Sequence, residues 1–77
     1  MEALQNELRQ LLMELAGLPE GFDASADLYT ELGVASMKAM ELLMELEDRY
    51  QISVPDEEFI QATSLQALAE MVQKLKG

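Results

Sequence analysis

The sequence predicts an all-α protein: a small four-helix bundle with three main helices, one short helix and a long loop after the first. Three observations predict it. Apolar residues recur at helical spacing in three separate stretches, and Gly and Pro punctuate the chain between them. The one alternating run, Gln51-Ile52-Ser53-Val54-Pro55, is too short for a strand with a partner. Its 77 residues are enough for one domain and not for two, so residues 1–77 are read as a single domain. A chain this short buries only about 60% of its unfolded surface, so its core is thin.

The first helix is expected from about Glu2 to Ala16. Leu4, Leu8, Leu11, Leu12 and Leu15 fall on one stripe at helical period. Gly17 supplies a C′ residue, and Pro19 cannot continue the helix. From Gly17 to about Val34 runs a long connection whose Leu18, Phe22, Leu28, Tyr29 and Leu32 predict that it packs across the bundle. A structureless stretch of that length would be unusual in so small a domain. The second helix is expected from about Ser36 to Tyr50. Pro55 then opens a short helical turn over Asp56 to Ile60, with Asp56, Glu57 and Glu58 suited to a helix N-terminus. Thr63 with Gln66 three residues later reads as a capping box that starts the last helix. There Leu65, Leu68, Val72 and Leu75 form the apolar stripe, and Lys74 and Lys76 suit the C-terminal end.

Composition excludes several function classes. There is no cysteine, so disulfides and thiolate chemistry are absent; there is no histidine, the commonest general base and transition-metal ligand. Fifteen Asp and Glu stand against five Lys and Arg, a net charge of −10 that repels nucleic acid and anionic lipid and favours partners with basic surfaces. Disorder is rejected because 49% of the residues are apolar and periodic. No basic leader or long apolar run is present, so a cytoplasmic protein without a membrane segment is expected. Asp23, Asp27 and Glu31 lack the spacing and glycine of a calcium loop, and no metal site is expected.

The second helix is apolar on two sides. At 100° per residue, Ala39, Leu42, Leu43, Leu46 and Tyr50 make one stripe, which faces the core. Met37, Met40 and Met44 make a second, roughly 130° away, bordered by Glu41, Glu45 and Asp48. The second stripe is either covered by the long loop or left for a partner. Methionines often fill gaps in a small core, but soft side chains flanked by charge also suit a surface that docks several partners in turn. The acids alone are no catalytic site, since a charged helix face is usually a solvated one.

Ser36 opens that helix, after the turn-like Leu32-Gly33-Val34-Ala35. An N-cap serine is the plain alternative, yet the acid or amide expected three residues later is absent because position 39 is alanine. The orphan N–H groups and dipole of a helix N-terminus favour a phosphate esterified at such a hydroxyl. Ser36 has no histidine and no adjacent lysine base to make it a nucleophile, for Lys38 points about 200° round the helix. The hydroxyl is a substrate rather than a catalyst, and the protein is not an enzyme.

The run Leu32-Gly33-Val34-Ala35-Ser36-Met37, then Glu41-Leu42 and Leu46-Glu47-Asp48-Arg49-Tyr50, resembles the modification-site region of acyl carrier proteins. Their usual pattern is Leu-Gly-x-Asp-Ser-Leu, a Glu-Leu pair and a Leu-Glu-acid-x-aromatic stretch. Ile52-Ser53-Val54-Pro55-Asp56-Glu57-Glu58 and Thr63-Ser64-Leu65 resemble the segments that follow. The resemblance covers about Leu28 to Val72. It implies the acyl-carrier fold and a carrier that receives 4′-phosphopantetheine from coenzyme A on Ser36, through a separate phosphopantetheinyl transferase. The arm's thiol would hold acyl intermediates of fatty-acid, polyketide or related specialised biosynthesis as thioesters. The bundle interior is expected to shelter the acyl chain between helices. The resemblance further implies that Met37, Met40, Glu41, Met44, Glu45, Glu47 and Asp48 dock on basic patches of acyl-loading, ketosynthase-type and acyl-transfer enzymes, the carrier being a monomer. Ala35 stands where most acyl carriers have aspartate, and Met37 replaces the usual leucine; with Lys38, these departures point to a specialised carrier. An aminoacyl or aryl carrier of nonribosomal peptide-type synthesis, and an unmodified helical interaction module, are the alternatives.

Overall fold

A computed structural model describes residues 2–77. Its four helices are α1 (Glu2–Ala16), α2 (Ser36–Tyr50), α3 (Asp56–Gln61) and α4 (Leu65–Lys76), and no strand occurs among the described residues. The thinnest extent is 19 Å, about two helix diameters, so each helix has an inward and an outward face. α1 packs on α4 and α2, α2 also meets α4, and α3 rests on α4. Leu8, Leu12, Leu28, Leu46, Leu65, Leu68 and Val72 are fully buried at the centre. The leucine stripes expected on α1 and α4 supply five of those seven side chains.

α1 ends as its residues dictate. Gly17 takes φ +71°, the left-handed conformation that glycine adopts at little cost, and its N–H donates to the Met13 carbonyl at 3.0 Å. The long connection then packs as expected, with Phe22, Ala26 and Leu28 buried and Leu18, Tyr29 and Leu32 set against the core. Its path is fixed at both sides. The Arg9 guanidinium on α1 donates to the Glu20 and Phe22 carbonyls at 3.0 and 2.6 Å and lies 4.4 Å from the centre of the Phe22 ring. On the other side, Gln66 N–H donates to the Ala24 carbonyl at 3.0 Å and Leu28 N–H to the Thr63 carbonyl at 2.7 Å. The connection therefore spans α1 and the start of α4 and leaves the outer face of α2 bare.

The cap of α4 lies one residue later than the sequence suggests. Ser64, not Thr63, is the N-cap, its Oγ accepting from Ala67 N–H at 3.1 Å, and the helix begins at Leu65. Thr63 has other work: its carbonyl takes Leu28 N–H, and its hydroxyl is one of the groups that favour the ionised form of Asp27. Gln66 accordingly spends its N–H on Ala24 rather than in a reciprocal box. The short helix runs one residue further than expected, to Gln61, and none of its residues is fully buried. At the far end of α2, Tyr50 Oη donates to Glu7 Oε1 at 2.8 Å and ties α2 to α1. Burial first, and that carboxylate second, push the Tyr50 hydroxyl up to about 12.

Candidate functional site

Ser36 is the first residue inside α2 rather than its cap. Ala35 occupies the N-cap with extended backbone (φ −66°, ψ 138°), and its methyl side chain makes no capping bond. The tight entry is made by Gly33 at φ +73° and by Val34 N–H donating to the Leu28 carbonyl at 2.8 Å. The first turn of a 15-residue helix thus opens toward solvent without a side-chain acceptor or an acidic residue, and Ser36 sits on it, exposed.

The chain has four serines, and their hydroxyls differ in what they are free to do. Ser25 Oγ donates to Asp23 Oδ1 at 2.8 Å, and Ser64 Oγ caps α4. Neither Ser36 nor Ser53 makes a side-chain hydrogen bond among the described residues, but Ser53 lies outside any helix, two residues before the N-cap of the six-residue α3. Only Ser36 combines a free hydroxyl with the positive end of a long helix. A phosphodiester at this position fits: its charge meets the helix dipole and unsatisfied N–H groups, and it meets no carboxylate in that turn.

Two apolar grooves flank Ser36 where α2 faces α3. One, of about 240 Å³, is lined by Tyr29, Ser36, Ala39, Phe59, Ile60 and Thr63. The other, of about 330 Å³, is lined by Ser36, Ala39, Met40, Leu43, Asp56, Phe59 and Ile60. Phe59 and Ile60 were not among the residues the sequence singles out. Ile60, an apolar residue left 71% exposed on a short helix, is the signal that marks them. Burial beside the groove, and the nearby Asp27 carboxylate, raise the Tyr29 hydroxyl above its ordinary value.

The two stripes of α2 separate as predicted. Leu42 and Leu46 are buried, with Ala39, Leu43 and Tyr50 half-buried beside them. Met37, Met40 and Met44 are 83%, 63% and 65% exposed, so the connection does not cover them. The acids are not equivalent. Lys38 Nζ lies 3.6 Å from Glu41, and Arg49 Nε 3.2 Å from Glu45, both pairs exposed and therefore weak. Asp48 has no ion-pair partner among the described residues. Glu41, Met44, Glu45 and Asp48 line, with Leu15 of α1, a groove of about 410 Å³. Glu47 stands apart: half-buried, its Oε2 accepts Val54 N–H at 2.9 Å and ties the linker after α2 to the helix. In this structure its carboxylate is engaged inside the chain. Asp23, Asp27 and Glu31 are likewise occupied by backbone donors of the loop, at Ser25, at Tyr29 and Thr30, and at Asp27.

No helix among the described residues is long and apolar enough to cross a membrane. Comparison with known proteins places the chain. Over 75 residues it is 33% identical to the non-reducing polyketide synthase pigA of Monascus ruber, a match that takes in 96% of this chain and 3% of that much longer protein. Residues 6–72 match the family described as phosphopantetheine attachment site, whose domains are carriers rather than enzymes and bear a covalently attached 4′-phosphopantetheine. The chain belongs to this phosphopantetheine attachment family, that of the acyl carrier proteins.

Proposed function

We propose that Ser36 carries the phosphopantetheine arm and that the chain presents thioester-bound acyl intermediates to partner enzymes. The observation that carries this is the free Ser36 hydroxyl on the uncapped first turn of α2, the one serine so placed. The arm supplies the thiol that a chain without cysteine lacks. The residues of this chain orient the arm, and the grooves walled by Tyr29, Phe59 and Ile60 receive apolar cargo beside it. That puts the cargo between α2 and α3 rather than in the centre, where Leu28, Leu46, Leu65 and Leu68 leave no exposed surface. The similarity to a polyketide synthase favours polyketide intermediates among the acyl classes.

Docking falls to the bare face of α2: Met37, Met40 and Met44 as the apolar centre, Glu41, Glu45 and Asp48 as the charged rim. This arrangement suits basic partners, namely the phosphopantetheinyl transferase and acyl-loading, ketosynthase-type and acyl-transfer enzymes. The net charge of −10 disfavours self-association and supports a monomer. Glu47, engaged with Val54, acts as a structural residue at the edge of this face.

Peptide mapping after incubation with coenzyme A and a broad-specificity transferase tests the assignment. The arm is expected on the peptide containing Ser36. An arm on the peptide containing Ser53, or none with several transferases, overturns it, the latter in favour of an unmodified interaction module.

A further inference from the structure

The chain has no cysteine, so its thioethers are its softest oxidisable groups. They fall into two sets by exposure. Met71 is 6% exposed in the core and Met13 is half-buried on α1, whereas Met37, Met40 and Met44 are 83%, 63% and 65% exposed. The three follow Ser36 by one, four and eight residues on one helix face, and none of them belongs to the buried cluster. Ordinary core methionines would be shielded, and scattered surface ones would share no function. Here the three most exposed methionines among the described residues are gathered on the one bare face of α2, beside Glu41, Glu45 and Asp48.

We infer that Met37, Met40 and Met44 form an oxidation-sensitive modification site, at which a peroxide switches off docking while leaving the fold intact. This rests on the docking reading given above. In each step the peroxide O–O bond breaks and a sulfur–oxygen bond forms. Sulfur loses two electrons to become the sulfoxide, and the peroxide is reduced to water or an alcohol. A flexible apolar side chain becomes a polar one with a strong acceptor oxygen, which an apolar partner surface must desolvate without a bond to offer. The core keeps its contacts because Leu42 and Leu46, not the methionines, hold α2 to the bundle. Methionine sulfoxide reductases, one for each epimer, reverse the change.

The test uses the full chain without the arm, so that no thiol competes for oxidant. The protein is treated with hydrogen peroxide, its methionines are mapped by peptide mass, its helicity is followed by far-ultraviolet circular dichroism, and its rate of arm transfer is measured. Met37, Met40 and Met44 should gain oxygen before Met71, with unchanged helicity, a transfer rate lowered about fivefold or more, and recovery after reductase treatment. The M37L/M40L/M44L variant, whatever its starting rate, should show the same rate before and after peroxide. Oxidation of Met71 together with the three, loss of helicity, or an unchanged rate after all three are oxidised overturns the proposal. An unchanged rate after oxidation while Asp48→Lys slows transfer removes the switch and leaves the docking face standing. If neither changes the rate, the docking face falls too.

Discussion

Leu28 donates its backbone N–H to the Thr63 carbonyl at 2.7 Å, joining the segment that leads into Ser36 to the turn between α3 and α4. The bond ties the entry to α2, and with it Ser36, to the turn that follows α3. Next to it, Asp27 Oδ1 accepts Tyr29 and Thr30 N–H groups at 2.9 Å each, and the Leu28 carbonyl accepts Val34 N–H. The entry to α2 is thus set by three local bonds and by one, from Leu28 to Thr63, that is distant in sequence.

Asp27 gives this latch a pH dependence. The Thr30 and Tyr29 N–H groups, in that order, hold its carboxyl below the ordinary value. A lowered folded pKa contributes stability that is present above the unfolded value and lost as pH falls through it toward the folded one. Asp27→Ala should therefore lower the urea midpoint at pH 7, and the difference from the parent should shrink as pH drops below about 4. A gap that stays constant down to the acid limit would show that the charge of Asp27 plays no part.

Gln51 closes α2 at φ 52°, the only residue other than glycine with positive φ among the described residues. Its N–H reaches the Glu47 carbonyl, and its Nε2 donates to the Asp48 carbonyl at 2.6 Å. Left-handed backbone costs a residue with a Cβ about 1–2 kcal/mol, partly offset by the larger unfolded-state freedom of glycine. Gln51→Gly should raise stability by about 0.5 kcal/mol in urea unfolding, with transfer to Ser36 unaffected. A loss instead would assign the Gln51 amide bond more weight than the backbone.

The two faces of α2 should respond oppositely to truncation. Leu46 has no exposed surface, so Leu46→Ala should cost about 2–5 kcal/mol, a large share of the stability of so small a domain. Met40→Ala should change stability by no more than about 0.5 kcal/mol and slow arm transfer. Denaturant melts paired with transfer rates separate the two. A Met40 variant that loses stability like Leu46→Ala would place that methionine in the core.

Charge reversal probes the rim. Asp48 has no ion-pair partner among the described residues, whereas Glu41 shares Lys38. Asp48→Lys should slow transfer more than Glu41→Lys, and both effects should shrink as salt rises past about 0.1 M, where the Debye length falls to about 10 Å. Rates equal to the parent's for both variants at low salt would remove the electrostatic part of docking, and equal slowing would remove only the distinction between the two acids.

Much of this was legible in the residues. The leucine stripes of α1 and α4 and the Gly17 stop depend on neighbours within a few positions, and they appear where the spacing puts them. The start of α2 at Ser36 was legible, and the alanine at position 39, which denies the serine a capping-box partner, made its hydroxyl a candidate. What escaped is what long-range contacts decide. Thr63 and Ser64 are both good caps, and Leu28, 35 positions before Thr63, settles which one is used. Glu47 reads as one more surface acid until the linker brings Val54 N–H to it. Whether the methionine stripe is covered depends on the path of the connection, which Arg9 and Gln66 direct elsewhere.

The central claim is that one hydroxyl, that of Ser36, takes the arm. Intact-mass analysis of the parent, Ser36→Ala and Ser53→Ala proteins after incubation with coenzyme A and a transferase tests it most directly. The mass of a single arm is expected on the parent and on Ser53→Ala, and no addition to Ser36→Ala. An arm on Ser36→Ala, or its loss from Ser53→Ala alone, would contradict it.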